Sequence, residues 1–371
     1  MLNSLSIKNF KCLEDITINS LKPVNLFIGD NNAGKSTLLE AIAAYASGGD
    51  ITALQKILES RGLHFLTRNN AHYNATTEIQ LISSIYTGYN TNAFFKHPIE
   101  ISGNLSSAGD TKLSISLVAY KDAEFTDQSG NTFKTRAIIP IKSDEDITSA
   151  DLYGLSCSLN DKASNYQFSP NYYYAAKDPF LPYEYVRTSQ IIRETNPLLF
   201  DKIALTPLQD ELINVLDIIE PNISGISFIK EEKTFSPNQI DNRVPTVVLK
   251  DNGKRYLLSS MGDGVNRILS IILALLNCKD GILLIDEFEN GLHYSVQERL
   301  WKMVFKLATD LNVQVFATTH SNYCLRSFIS TEGQDKGRII RLESDNKKII
   351  PVEFTDNDRL EFAISNNIEI R

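Results

Sequence analysis

"GDNNAGKST", residues 29–37, lies between the apolar run Val24-Asn25-Leu26-Phe27-Ile28 and the stretch Leu38-Leu39-Glu40-Ala41-Ile42. That context predicts a strand, a glycine-bounded turn and a helix, in that order. The nine residues fit G-x-x-x-x-G-K-[ST], the pattern of a loop that cradles nucleotide phosphates. Gly29 and Gly34 reach backbone angles that other residues resist, so several N–H groups of the loop, those of Asn31, Asn32 and Ala33 included, can face one anion. A helix starting near Lys35 adds the positive end of its dipole to the same point. Lys35 is expected to reach the β- and γ-phosphates, Ser36 to complete a magnesium shell, and Thr37 to lie near the α-phosphate. Leu38, Leu39, Ile42 and Tyr45 recur at helical spacing, and Gly48-Gly49 supplies a stop.

A phosphate loop needs a carboxylate to hold its metal. "GILLIDEFENGLH", residues 281–293, offers Asp286 and Glu287 directly after the apolar run Ile282-Leu283-Leu284-Ile285. A run of that kind reads as a strand buried on both faces of a parallel sheet, and ligands bind beyond the carboxyl ends of such strands. Two adjacent acids there are costly unless they meet a cation or a water to activate. "VQVFATTHS", residues 313–321, reads as a third core strand, ending in Thr318, Thr319 and His320. A histidine at that end is expected to sense the γ-phosphate.

The 371 residues suffice for two or three domains, and 42% hydrophobic with 22% charged residues is ordinary for a soluble globular protein. No apolar run approaches the roughly 20 residues that span a bilayer. The opening "MLNSLSIKNF" lacks the basic start and apolar core of a signal peptide. Cys12, Cys157, Cys278 and Cys324 are scattered without metal-like pairing and read as reduced thiols. A cytoplasmic protein without membrane association is expected. The formal net charge of −8 does not favour a broad nucleic-acid surface, although a basic groove can sit on an acidic protein.

Residues 36–281 intervene between Lys35 and the strand before Asp286, far more than a compact phosphate-loop domain requires. The first part of this insert reads as antiparallel β-structure: "EIQLISSIY" (78–86), "PIEISGNL" (98–105), "TKLSISLVAY" (111–120), "RAIIPIK" (136–142) and "YGLSCSLN" (153–160). The tyrosine-rich piece "NYYYAAKDPFLPYEY" (171–185) reads more readily as half-buried strand aromatics than as a base-stacking platform. Thr206-Pro207-Leu208-Gln209 then opens a helix with the apolar stripe Leu212, Ile213, Leu216 and Ile219. This helical arm, about 187–221, is a candidate partner surface. "RVPTVVLKDNGKRYLL" (243–258) reads as a hairpin around Asp251-Asn252-Gly253. It delivers the chain to "LSSMGDGVNRILSIILALLN" (258–277), where a Ser-x-Gly turn opens an apolar helix and forms a second anion-binding end. The expected units are residues 1–186 (phosphate loop and β-rich insert), 187–242 (helical arm) and 243–371 (the turn, the acid pair and the histidine). Two short strands, "GRIIRLE" and "KKIIPVEF", and a terminal helix near "NDRLEFAI" are expected to end the chain.

Ser260-Met261-Gly262-Asp263 resembles a degenerate L-S-G-G-Q signature of ABC-type ATPases, and "LSIKNFKCLEDITI" resembles the I-x-N-F-[KR] opening of the SMC and RecF branch. Within that branch the chain looks most like the ATPase part of overcoming-lysogenization-defect (OLD) proteins and of abortive-infection AAA family ATPases. The resemblance implies an α/β fold, a P-loop ABC-type ATPase head with a mixed central sheet, an inserted antiparallel β subdomain and a helical arm. It implies ATP and Mg²⁺ as ligands, Ser36 and Asp286 as metal ligands, Glu287 polarising the attacking water, and His320 as the switch histidine. Ser260 and Gly262 take the place of the signature that completes the opposite protomer's site. Lys11 takes that of a basic residue nearing the phosphates, and Glu289-Asn290-Gly291-Leu292-His293 that of the dimer-contact loop. A homodimer, or a higher oligomer of dimers, follows. Only residues 321–371 come after His320, too few for the nuclease domain of full-length OLD proteins, so a separately encoded effector, a nuclease or toxin, is expected in a phage-defence setting. The competing expectations are a RecF-like ATPase clamping DNA and the motor subunit of a transporter.

Overall fold

Three apolar runs of the sequence become neighbouring strands of one sheet. The computed structural model describes residues 1–59, 75–126, 132–141, 146–147, 149–167, 174–188, 192–219, 221–230, 243–331, 336–345 and 348–354. Strands β1 (Leu2–Phe10), β2 (Leu13–Ile18) and β3 (Val24–Ile28) lead to helix α1 (Lys35–Ala46). Helices α2 (Ile51–Glu59), α3 (Ala75–Ser83) and α4 (Thr91–Lys96) precede β4 (Ile99–Leu105), β5 (Gly109–Thr126) and β6 (Thr132–Ile139). Strands β7 (Leu152–Leu159), β8 (Lys162–Gln167) and β9 (Tyr183–Val186) come next, then helices α5 (Ile192–Ile203) and α6 (Pro207–Ile219). Strands β10 (Ile223–Lys230), β11 (Arg243–Leu249) and β12 (Arg255–Leu257) lead to α7 (Asp263–Leu276) and β13 (Ile282–Ile285). The remaining elements are α8 (Tyr294–Asp310), β14 (Gln314–Thr318), α9 (Asn322–Ile329), β15 (Gly337–Asp345) and β16 (Lys348–Phe354).

The central sheet runs β16-β15-β3-β14-β13-β9, with β16 antiparallel to β15 and the other pairings parallel. Its continuous hydrophobicity has a direct cause, since successive residues feed two cores on opposite faces. Phe27, Ile282, Leu284 and Phe316 enter the core shared with the N-terminal sheet and α1. Leu26, Ile28, Leu283, Ile285, Val315 and Ala317 enter the core beneath α5 to α9. The parallel register aligns the carboxyl ends of β3, β14 and β13, so Gly29, Thr318 and Asp286 emerge along one edge. Burying the Val, Leu, Ile and Phe side chains among these contributes about 1.5–3 kcal/mol each, which favours a fixed edge.

The second sheet is antiparallel, ordered β2-β1-β4-β5-β7-β8 with β6 on β5. Strands appear in it near each of the predicted insert strands at 98–105, 111–120, 136–142 and 153–160, although the third runs earlier than expected, over Thr132–Ile139. The sheet is built onto the N-terminal hairpin through β1 and β4. The strand predicted at 78–86 is instead α3 and the turn after it. Ile79, Ile82, Ile85 and Tyr86 are buried, a helical recurrence concealed within the apolar run. Gln314 joins the two sheets. Its amide accepts from Leu2 N–H at 2.7 Å and donates to the Leu2 and Lys22 carbonyls at 2.8 and 3.0 Å, all near the amino end of β14.

Helices α5 and α6 lie along α7 and α8, with Leu199, Phe200, Ile203, Leu212, Val215 and Leu216 buried against them. Leu198, Leu205 and Ile218 stay exposed on the outer side of this arm. The predicted hairpin is β11 and β12, turned at 251–253 and extended by β10 into a three-stranded sheet. Of the tyrosine-rich piece, Tyr183 and Tyr185 lie on β9 against the first core, and Tyr174 accepts from Gln167 N–H at 2.7 Å. Tyr172 and Tyr173 lie outside the described residues, as does the helix predicted near 357–364. Among the described residues no helix is long and apolar enough to cross a membrane.

Candidate nucleotide site

The phosphate loop joins β3 to α1 through backbone angles that the sequence anticipates. Gly29 (φ 140°) and Gly34 (φ 84°) lie in the region that favours glycine, and Asn32 (φ 64°) joins them there. A Cβ on Gly29 would collide with the Leu342 carbonyl oxygen, so the loop is also pressed against β15. Asn31 and Asn32 are exposed at its tip, while Ala33 is buried and donates to the Asp30 carbonyl at 3.2 Å. Thr37 is buried in the first turn of α1. That helix begins at Gly34 with no side-chain cap and no acid in its first turn. By contrast, the His293 and Ser321 side chains cap α8 and α9. The first N–H groups of α1 are therefore without a side-chain acceptor at the place where a phosphate would supply one.

Lys35 is only 4% exposed, and its ammonium donates to the Gly29 and Asp30 carbonyls at 2.6 and 2.8 Å. Burial lowers its pKa to about 8, against the opposing pull of Asp30, Asp286, Glu287 and Glu289. Ser36 donates to Asp286 Oδ1 at 2.9 Å, and Thr318 donates to the same oxygen at 2.8 Å. A hydroxyl and a carboxylate side by side are hard oxygen donors of the kind Mg²⁺ accepts. Among the described residues no group of three or more His, Cys, Asp and Glu side chains is arranged to hold a metal. Ser36 and Asp286 thus fit an ion that takes its remaining ligands from phosphate and water, the usual arrangement for Mg²⁺ beside a nucleotide.

Glu287 has φ 49°, a left-handed conformation that costs a non-glycine residue about 1–2 kcal/mol. Its surroundings impose that conformation. Glu287 N–H donates to Thr318 Oγ1 at 2.8 Å, and Phe288 N–H to the Thr318 carbonyl at 2.9 Å. The Phe288 ring stacks on Trp301 with centroids 3.7 Å apart. The half-exposed carboxylate of Glu287 lies 3.8 Å from His320 Nε2, so the two side chains face the same small space at the sheet edge. Glu289, expected in a dimer-contact loop, accepts from His320 N–H at 2.8 Å and so fixes the histidine's backbone. A hollow beside the loop is lined by Ile28, Gly29, Thr319, His320, Ser321 and Asn322.

The structure thus brings Lys35, Ser36, Asp286, Glu287 and His320 to one edge of the central sheet. Lys11 lies beside them but is engaged elsewhere. Its ammonium bonds Glu40 Oε2 at 2.8 Å, one turn beyond Ser36 on α1, and Arg187 stands 4.0 Å from the other Glu40 oxygen. The signature turn has its own bonding. Ser260 is exposed and donates to the Leu257 carbonyl at 2.7 Å, and Gly262 (φ 103°) starts α7 without a side-chain cap. Three contributors carry no sequence motif: Thr318, which the sequence marks only as a strand end, Arg187 and Arg267. The polar Arg267 inside the apolar helix 263–276 was the available signal for the last of these.

The lowered pKa of Lys35 has a measurable consequence. Phosphate favours the charged ammonium, so binding raises this pKa, and affinity must fall as pH rises through about 8. If only the protonated form binds, apparent ATP affinity drops about tenfold between pH 7 and pH 9. Lys35→Arg, whose charge persists across that range, should flatten the profile if it binds at all. Titration calorimetry at both pH values checks this.

A family profile described as an AAA ATPase domain matches residues 1–186 and 183–325. An "ATP/GTP phosphatase" of Helicobacter pylori is 27% identical over 99% of this chain and 98% of its own length. An "OLD nuclease" of Thermus scotoductus is 52% identical over 42 residues, 11% of this chain and 8% of that protein. Among solved structures, an Smc head bound to the C-winged helix domain of ScpA superposes with a TM-score of 0.54 at 12% identity, covering 97% of this chain and 99% of that one. An Smc head domain with an extended coiled coil, bound to the C-terminal domain of ScpA derived from Pyrococcus furiosus, gives 0.53 at 10% identity over 99% of both chains. The structural likenesses establish an SMC-head type of α/β fold. Because the profile spans both lobes that build the site, the chain belongs to the AAA ATPase domain family, with the fold of an SMC head and a local likeness to an OLD nuclease.

Proposed function

We propose that the chain is a slow, Mg²⁺-dependent ATPase that pairs with a second copy around ATP and thereby controls a separately encoded effector, a nuclease or toxin, in phage defence. The 2.9 Å bond from Ser36 to Asp286 carries the first part of this reading, since it joins the phosphate loop to the acid pair across most of the chain. Lys35 and the start of α1 would bind the phosphates. Ser36 and Asp286 would hold Mg²⁺, which neutralises charge on the β- and γ-oxygens. Glu287 would orient and deprotonate the attacking water, with His320 across the gap. The Helicobacter pylori relative, named a phosphatase of ATP and GTP and matched over 98% of its length, supports hydrolysis as the reaction. The effector and the defence setting rest on the resemblance to OLD-like systems, including the short match to an OLD nuclease.

Pairing rests on the exposed Ser260 turn and the uncapped start of α7. The two copies would pack head to tail, each lending Ser260 and Gly262 to the other's ATP. Ser260→Arg should leave ATP binding by the isolated chain nearly intact while blocking hydrolysis and ATP-dependent pairing. Mixing it with Lys35→Ala gives the decisive measurement. Each mixed pair has one site built from two intact halves, so activity returns, up to about a quarter of the wild-type rate, although both parents are dead. Variants that associate but never regain activity in any mixture would overturn the shared site.

A further inference from the structure

We propose that Arg267 is the positioning residue of the hydrolytic turn, holding Glu287 from the helix that begins at the signature. Arg267 is 4% exposed and lies just over one turn into α7. Nη2 donates to the Asp286 carbonyl and, at 3.1 Å, to the Glu287 carbonyl, and Nη1 donates to the Arg187 carbonyl at 3.0 Å. One guanidinium therefore ties the end of β9 to both acids that follow β13. Three carbonyl acceptors in a fan suit the planar fork of arginine, and an ammonium cannot reach all three with good geometry. A buried cation is costly, and it is retained here with Nη1 and Nη2 bonded to backbone carbonyls rather than to a carboxylate, although its Nε is buried without a partner among the described residues. The Glu287 carbonyl that it grips belongs to the residue held at φ 49°.

A second contact ties the same helix to the same segment. A Cβ on Gly264 would stand 2.8 Å from the Gly291 carbonyl oxygen, so the first turn of α7 rests directly on the loop after Glu287. The start of α7 thus bears on the hydrolytic turn through Gly264 and through Arg267. A shift of the signature helix must move the Glu287 backbone with it. Whatever engages Ser260 and Gly262 is then sensed at this chain's own Glu287.

This inference rests on the ATPase reading, and its test separates the two. Steady-state ATPase rates, ATP affinity and thermal unfolding are measured for wild type, Arg267→Met, Arg267→Lys, Glu287→Gln and the double variant Arg267→Met/Glu287→Gln. Arg267→Met should lose about 10- to 100-fold in kcat, the range typical of groups that orient a reactive residue, while ATP affinity and KM move less than about threefold. Arg267→Lys should recover part of the loss. In the Glu287→Gln background, Arg267→Met should cost less than about threefold more, because both changes act on one group. A merely structural role would instead weaken binding and multiply with Glu287→Gln. Folded Arg267→Met with a wild-type kcat overturns the proposal, as do losses that multiply. If Arg267→Met does not fold, Arg267→Lys decides: a reduced kcat at unchanged affinity supports the assignment, and an unchanged kcat overturns it. Wild-type protein that hydrolyses no ATP removes the ATPase reading and the proposal with it. That outcome is distinct from an active enzyme indifferent to Arg267.

Discussion

Lys35→Ala is expected to abolish ATP binding, weakening it more than about 100-fold, or roughly 2.7 kcal/mol. The effect exceeds the loss of one contact. Lys35 feels Asp30, Asp286, Glu287 and Glu289 together, and it is the cation that the phosphate loop itself brings to this acidic group. Without it, a triphosphate would approach carboxylates across a partly dry site, where like charges repel more strongly than in water. The fold should tolerate the change. The ammonium bonds only the Gly29 and Asp30 carbonyls of its own loop, and its lowered pKa shows that burial already disfavours the charge. The variant should therefore keep a cooperative thermal transition while losing the rise in Tm that saturating ATP and Mg²⁺ give to wild type. Wild-type nucleotide affinity in a folded Lys35→Ala protein would refute the assignment of the loop.

The central sheet was legible because its strands answer one physical demand. Val24–Ile28, Ile282–Ile285 and Gln314–Thr318 are buried on both faces, so apart from Asn25 and Gln314 their sequences run apolar without alternation, and the polar residues at their carboxyl ends mark the site. The phosphate loop was legible for a similar reason, since its glycines sit where φ must be positive. The segment at 78–86 misled because a short apolar run is consistent with either period, and only the burial of Ile79 and Ile82 on one helical face separates them. The polar groups that orient the site were hidden for another reason. Thr318, Glu289 and Arg267 act on backbone atoms of residues far along the chain, and no local spacing encodes such a contact. Gln314 shows the limit most plainly. It reads as one more residue of a buried strand, yet its amide serves the backbone of Leu2 and Lys22. An unpaired polar side chain within an apolar run is the one sequence sign of such a role, because burying it unbonded would cost about 1–3 kcal/mol.

Glu287→Gln should bind ATP with near wild-type affinity and hydrolyse it about 10²–10⁴-fold more slowly, the usual cost of losing a positioned acid–base group. The amide keeps the shape of the side chain and, as another non-glycine residue, bears the same left-handed backbone at φ 49°. The restraints on that backbone come from Thr318, from Arg267 and from the Phe288 ring on Trp301, and none of them involves the carboxylate. What changes is the ability to take a proton from water. Removing one negative charge beside Lys35 should, if anything, ease phosphate binding, so the variant ought to accumulate ATP-bound protein. His320→Ala should show a smaller loss in the same step. At 3.8 Å from the carboxylate, the imidazole is placed to hold a water or the γ-phosphate rather than to accept the proton. Its position is set by the bond from its own N–H to Glu289, which alanine retains. Single-turnover measurements with pre-bound ATP separate these effects from binding and from product release. A Glu287→Gln rate equal to wild type would move the base to another residue. A His320→Ala loss larger than that of Glu287→Gln would make the imidazole the principal group of the step.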